Sequence, residues 1–363
     1  MLALFEERGF RLRRCTWELT LACDLRCGHC GSRAGRPRAD ELSTDEAFTV
    51  CDDLARLGCR AVTLAGGEPT LRDDWPQLVA RLRGHGMKVS MLSNGFGWGA
   101  EQTARALQAG VSQGAFSLDG MEEAHDANRA PGSFAKVCAA IKACREAGLR
   151  VSIVTHVTRA NMGDLRAMQG LLSFYGVSNW QLQQGVPIGN LSEHRERVLD
   201  KADILVLVPL MAELARLGGP RLVAGDNLGY YGPHEIDIRG GKRFRLPFWL
   251  GCRAGIEVVG IESHGDVKGC LSLPSSRNGR RDFIEGNVRE RSLWDIWRDP
   301  ASFSFNRTFD LAELQGDCAG CEYGEICRGG CTLTSVGFAD RRRSFPNCYH
   351  AAARAAASEE GDG

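Results

Sequence analysis

Leu19-Thr20-Leu21-Ala22-Cys23-Asp24-Leu25-Arg26-Cys27-Gly28-His29-Cys30 sets three cysteines at the spacing C-x3-C-x2-C. They follow a stretch, Cys15 to Ala22, that reads as a β-strand. Three thiolates are one ligand short of the four that a cubane iron–sulfur cluster takes. A structural zinc site would want a fourth protein ligand and paired C-x2-C knuckles. By either reading one ligand is missing, and that is the informative part of the loop.

Working outward, the chain alternates strand and helix. Ser43 or Thr44 offers an N-cap for a helix to about Leu57, stopped by Gly58, and a strand at Arg60 to Ala65 follows. Helix Trp75 to Gly84, strand Lys88 to Leu92, helix Glu101 to Gly110, strand Gly114 to Leu118 and helix Ser133 to Ala147 continue the pattern. Strand Arg150 to Val157, helix Asp164 to Phe174 and strand Asn179 to Gln183 complete six units. This order predicts an α/β fold, a partial (β/α)6 TIM-like barrel, with chemistry at the C-terminal ends of the strands. The polar candidates all fall at those ends: the cysteine loop after the first strand, Gly66-Gly67-Glu68-Pro69 after the second, Ser93 and Asn94 after the third. Ser117 and Asp119 end the fourth, His156 the fifth, Gln183 and Gln184 the sixth. His156, on an apolar strand, reads equally as a cavity residue or as a satisfied core histidine.

Of 363 residues, 43% are hydrophobic, enough for a large domain or a large and a small one. Lys and Arg number 45 against 45 Asp and Glu, so no basic excess speaks for a nucleic-acid partner. No run of about 18 apolar residues and no signal-peptide pattern occurs, so no membrane is expected. Fifteen cysteines grouped at ligand spacings fit a reducing, cytoplasmic setting better than a disulfide scaffold. Cys15, Cys51, Cys59, Cys138 and Cys144 fall in or beside helices and strands and read as small core residues.

After an apolar helical stretch, Ile204 to Leu217, with Pro209 as a kink or a first turn, composition shifts at Gly218-Gly219-Pro220. Seven cysteines follow: Cys252 and Cys270 as C-x17-C, Cys318, Cys321, Cys327 and Cys331 as C-x2-C-x5-C-x3-C, then Cys348. Close spacing in glycine-rich loops suits thiolates converging on an inorganic centre, and seven ligands fit tandem zinc knuckles poorly.

The C-x3-C-x2-C loop with Leu25 and His29 resembles the signature of the radical S-adenosylmethionine enzymes, and the tail resembles their SPASM extension. The resemblance covers roughly residues 12 to 350. It implies that Cys23, Cys27 and Cys30 hold a [4Fe-4S] cluster whose fourth iron takes the cosubstrate, with cleavage to a 5′-deoxyadenosyl radical. It places Gly66, Gly67 and Glu68 at the methionine ammonium, and it assigns cofactor contacts to Ser93, Asn94, Ser117, Asp119, Arg129, His156 and Gln183, with His125 beside them. In the tail it implies two auxiliary [4Fe-4S] clusters, three in all: Cys252, Cys270 and Cys331 on one, Cys318, Cys321, Cys327 and Cys348 on the other. Several relatives have an eighth cysteine between the first two tail positions. Here the gap offers Glu257, Glu262, His264 and Asp266, or an open iron for substrate. Leu271 stands where sulfatase maturases carry an aspartate, which disfavours formylglycine formation.

The domains expected are a barrel at 1–220, a connection at 221–250, the auxiliary domain at 251–350 and a tail at 351–363. The reaction implied is hydrogen abstraction from a residue of a ribosomally made precursor peptide, followed by oxidative crosslinking or cyclisation through a thioether, C–C or C–O bond. Epimerisation or dehydrogenation of a sugar or aminoglycoside, and non-catalytic electron transfer, are the alternatives. An epimerase would need a cysteine thiol at the barrel mouth to return hydrogen. Partners implied are the peptide, an electron donor such as flavodoxin or ferredoxin, and a separate leader-peptide-recognition protein. Alternatively, Tyr230, Tyr231, Arg239, Lys242, Arg243, Phe244 and Arg245 line a peptide groove.

Overall fold

A computed structural model describes residues 9–240, 248–277 and 279–361. Strand β1 (Arg14–Glu18) leads into the cysteine loop, and helix α1 (Thr44–Arg56) follows it. Ser43 caps α1: its side chain accepts from the Glu46 amide while Glu46 reaches back to the Ser43 amide. The order continues with β2 (Ala61–Ala65), α2 (Trp75–Gly84), β3 (Lys88–Ser93), α3 (Ala100–Ala109) and β4 (Gln113–Ser117). Then come α4 (Glu122–Asn128), α5 (Ser133–Glu146), β5 (Val151–Val157), α6 (Leu165–Phe174), β6 (Asn179–Gln184), α7 (Lys201–Arg216) and β7 (Arg221–Ala224). Pro209 sits inside α7 and not in its first turn.

Strands β1 to β7 pair in chain order, all parallel. The six expected strand–helix units are present, each within a few residues of its predicted place; β1 stops at Glu18, short of the predicted Ala22, because the chain turns there into the cysteine loop. The sheet is longer than six strands. β7, in the segment read as a connection, adds to β6, so the sheet extends past residue 220. On the other edge, β8 (Val258–Ile261) runs parallel to β1, and β9 (Asp266–Lys268) and β10 (Gly286–Asn287) continue it antiparallel. The result is an open ten-stranded sheet, β10-β9-β8-β1-β2-β3-β4-β5-β6-β7.

Side chains alternate along each strand. Cys15 and Trp17 of β1, Val62 and Leu64 of β2, Ile153 of β5, and Trp180 and Leu182 of β6 face the helices and form the core. Thr16 and Glu18, Val154 and His156, and Gln183 take the other face and line a central cavity. The five cysteines read as core residues are buried or packed there, and none of them lines that cavity.

Beyond β8 the tail adds α8 (Leu293–Arg298), α9 (Thr332–Ala339) and α10 (Tyr349–Gly361). The last helix packs on α7, so residues 351–361 are an integral element and not a loose tail. Arg289 ties the tail to the barrel by pairing with Glu46 and donating to the Asp40 and Glu41 carbonyls. Replacing Leu64, fully buried in β2, by alanine is expected to cost about 2–5 kcal/mol, read as a lowered urea midpoint.

Candidate functional site

The cysteine loop is built by backbone contacts with its neighbours. Gly35 N–H donates to Leu21 O (2.9 Å), and Cys23 N–H donates to Gly35 O (3.2 Å), so residues 33–42 close against the loop. On the far side, Gly67 N–H reaches Thr20 O at 2.8 Å and Glu68 N–H reaches Ala22 O at 2.7 Å. A Cβ on Gly67 would stand 2.1 Å from Ala22 O, which no real side chain tolerates. Glycine is required there by the loop's own backbone.

Glu68 is placed differently from its sequence reading. It is 2% exposed and does not line the cavity. Its carboxylate accepts from the Thr70 amide and hydroxyl, the Ser93 hydroxyl (2.9 Å) and the Asn94 amide (2.8 Å). Burial pushes its pKa up despite these donors. It is a fastener between the ends of β2 and β3, with its oxygens already taken.

Each of the three sulfurs faces an N–H group. Asn94 Nδ2 lies 3.7 Å from Cys23 Sγ, Arg129 Nη1 3.8 Å from Cys27 Sγ, and the Ala34 amide 3.4 Å from Cys30 Sγ. Burial pushes the Cys23 thiol up to about 11, and raises that of Cys27 as well, against the charge of Arg129. As bare thiols they stay protonated; a metal centre would displace the protons. Three convergent sulfurs with N–H donors already in place fit an iron–sulfur cluster.

The cavity, about 620 Å³, lies between this loop and the strand ends and is of a size that takes a small-molecule ligand. Gly66, Gly67, Ser93, Asn94, Ser117, Asp119, Arg129, His156 and Gln183 all line it. Asp119 is fully buried. Its Oδ2 accepts from Arg129 Nε at 2.6 Å and its Oδ1 from the His156 amide at 2.9 Å. Burial alone would raise its pKa, but the charge of Arg129 and the hydrogen bond from the His156 amide outweigh this and hold it far below the carboxylate range. His125 is not on a solvated helix face; it is buried in α4, and its Nδ1 accepts from the Asp119 amide at 3.0 Å. His156 stacks on His29 with ring centres 4.6 Å apart. Burial depresses both imidazoles, His156 to about 3, so both are neutral near pH 7. His29, Glu18, Arg38 and Lys268 also line the cavity. Sequence reasoning gave them no cavity role, although Thr16 and Glu18 are the polar alternate positions of β1.

The tail completes the cavity through the loop after Cys270, which contributes Leu271 to Ser276, and through Leu333. The structure brings the tail cysteines together in two groups. Cys331 lies close enough to Cys252 and Cys270 for their charges to interact, as does Cys327 with Cys348, Cys318 and Cys321. The second group lines a separate cavity of about 440 Å³. The four side chains offered as extra ligands for the first group are engaged elsewhere. Glu257 pairs with Arg13 and Arg253, Glu262 with Lys268, and Asp266 with Arg281 and His264. The carboxylate that comes near Cys331 is Asp226.

The peptide-groove reading of residues 230–245 also changes. Tyr230 and Tyr231 are buried with Trp249 and Phe345 against the second cysteine group. Arg239 pairs with Glu235 and holds the carbonyls of Leu228 and Gly229. Lys242, Arg243, Phe244 and Arg245 lie outside the described residues.

Residues 17–171 match the Radical SAM superfamily, and residues 252–322 match an iron–sulfur cluster-binding domain, SPASM. Mycofactocin maturase MftC of Mycobacterium ulcerans is 32% identical, the alignment covering 87% of this chain and 82% of that protein. An AdoMet-dependent heme synthase of Nitratidesulfovibrio vulgaris is 28% identical over 92% of this chain and 91% of its own. Streptococcus suis SuiB bound to S-adenosylmethionine shares the fold with a TM-score of 0.71 at 16% identity, covering 96% of this chain and 78% of SuiB. Native anSMEcpe with bound AdoMet likewise gives 0.71 at 16% identity, over 94% and 95% of the two chains. The chain belongs to the radical SAM superfamily. Within it, the protein is an enzyme that carries a C-terminal SPASM iron–sulfur domain. No helix among the described residues is long and apolar enough to cross a membrane.

Gly67→Ala is expected to push the cysteine loop off its contact with Ala22. The measurement is iron per reconstituted chain, which should fall by about four with the circular dichroism spectrum unchanged.

Proposed function

We propose that the enzyme takes hydrogen from an amino-acid residue of a ribosomally made precursor peptide and closes an oxidative crosslink or cyclisation. The observation that carries this reading is the shared cavity. One wall is the Cys23, Cys27 and Cys30 loop, and another is the loop that follows Cys270. When bound at the first site, the cluster would supply the electron that splits S-adenosylmethionine into methionine and a 5′-deoxyadenosyl radical. The residues around it orient and enclose. The peptide edges at Gly66 and Gly67, and Ser93, Ser117 and Asp119, surround the space for the cosubstrate, and Arg129 is kept off the cavity's free charge by Asp119. The neutral, stacked His29 and His156 add polar surface without adding a cation.

Cys252, Cys270 and Cys331 would hold one auxiliary [4Fe-4S] cluster, with a fourth position open to an exchangeable ligand, and Cys318, Cys321, Cys327 and Cys348 a second. The loop that follows Cys270 borders the cavity, so the first of these clusters would give an electron outlet, which is why net oxidation is preferred. A peptide substrate is supported by the likeness to mycofactocin maturase and by the shared fold of SuiB, which has been solved with its precursor peptide SuiA. A separate leader-recognition protein and a flavodoxin or ferredoxin donor belong to the same reading. Epimerisation gains no support here, since none of the five core cysteines lines the cavity. A tetrapyrrole substrate is the second reading, favoured by the near full-length match to the heme synthase.

Anaerobically reconstituted enzyme, S-adenosylmethionine, dithionite and the short peptides encoded beside its gene form the test. Deoxyadenosine together with a peptide lighter by two hydrogen atoms is expected in the mass spectrum. Deoxyadenosine with modification of an iron-porphyrin precursor in place of any peptide would establish the second reading, and no deoxyadenosine would overturn both. Iron should reach about twelve atoms per chain, three clusters of four; about four would remove the auxiliary clusters from the proposal.

A further inference from the structure

On the β1–β8–β9 side of the cavity stands a carboxylate that the cosubstrate reading does not use. The parallel register pairs Trp17 with Ile261, so Glu18 and Glu262, one step on, leave the sheet on the same face. The β8–β9 hairpin sets Lys268 opposite Gly260, on that face as well. All three line the cavity.

Glu262 is 3% exposed. Its Oε1 accepts from Lys268 Nζ at 2.7 Å and from the Ser275 hydroxyl. Its Oε2 is buried without a hydrogen-bond partner. Arg38 Nη2 lies 3.7 Å from it and His264 Nδ1, likewise buried without a hydrogen-bond partner, 3.8 Å, both beyond hydrogen-bond range. A charged oxygen left so is costly unless something arrives to donate to it.

The surroundings define what can arrive. Lys268 spends its three protons on Glu262, the Leu273 carbonyl and Ser275, so it has none for an anion. Arg38 and Lys268 balance Glu18 and Glu262, leaving the wall without net charge. A neutral N–H donor fits; a carboxylate would meet only a lone pair.

We propose that Glu262 Oε2 is a substrate-binding acceptor that takes a backbone amide N–H of the peptide and seats the residue to be modified against the cysteine loop. This rests on the peptide reading given above. The substitution Glu262→Gln inverts the site's polarity, because Lys268 keeps the amide oxygen and turns the NH2 group toward the cavity.

The test titrates the fluorescein-labelled synthetic peptides encoded beside the gene into reconstituted enzyme with S-adenosylmethionine, followed by anisotropy. Retained iron and retained cosubstrate binding show that E262Q is folded. E262Q should raise Kd at least tenfold, about 1.4 kcal/mol. One backbone N-methyl position in the peptide should cost the wild type a similar factor and cost E262Q little more. Equal affinity for wild type and folded E262Q would overturn the role of Glu262 and leave the peptide reading standing. If E262Q fails to hold iron, the N-methyl series on the wild type decides, and the absence of any tenfold-sensitive amide overturns the proposal. Peptides that fail to bind the wild type at all would overturn the peptide reading and this inference with it.

Discussion

Two stretches of backbone lie hard against each other: residues 66–68, leaving β2, rest on residues 20–22, leaving β1. A Cβ on Gly66 would meet Thr20 O at 2.4 Å, and one on Gly67 would meet Ala22 O at 2.1 Å. Because neither glycine has one, two N–H groups bond across the gap and fix where the cysteine loop begins. Glu68 then fastens the end of β2 to Ser93 and Asn94 at the end of β3, and Asn94 reaches over to Cys23. Three motifs far apart in sequence thus form one mechanical unit, and the position of the Cys23 sulfur depends on the other two motifs.

A second unit stands on β4 and β5 around one buried negative charge. Asp119 is tolerable there because Arg129, its side chain also buried, shares its charge, and the His156 amide and Asn128 Nδ2 supply further donors. Removing either partner would leave an uncompensated charge inside the protein, a loss of about 3–5 kcal/mol. The same pairing stops Arg129 from acting as a free cation beside the cluster loop, so its remaining reach goes to Cys27 and His29.

Much of this was legible in the sequence because it is local. Apolar runs of strand length, punctuated by glycine and followed by helical stretches, announced the parallel sheet, and the spacing of Cys23, Cys27 and Cys30 announced the cluster loop. What was hidden depends on contacts with no local trace. The pairing of β8 with β1 joins opposite ends of the chain, so nothing near Val258 marks it as a continuation of the barrel sheet. Tyr230 and Tyr231 sit in a glycine-rich, charged segment and read as surface, yet they pack against the second cysteine group. Glu262 reads as a possible cluster ligand until the register shows that it leaves the sheet on the cavity side, as Lys268 does.

The β1–β8 pairing also gives the chain a history on the ribosome. Strand β1 is made well before β8, the partner for its outer edge, which comes only after β2 to β7 and the helices between them have been synthesised. At ordinary elongation rates that interval is on the order of 10–50 s. Throughout it the edge presents unpaired N–H and C=O groups, the kind of surface that recruits foreign strands. Arg13 and Arg14, at the start of that edge, place charge where such a strand would have to land.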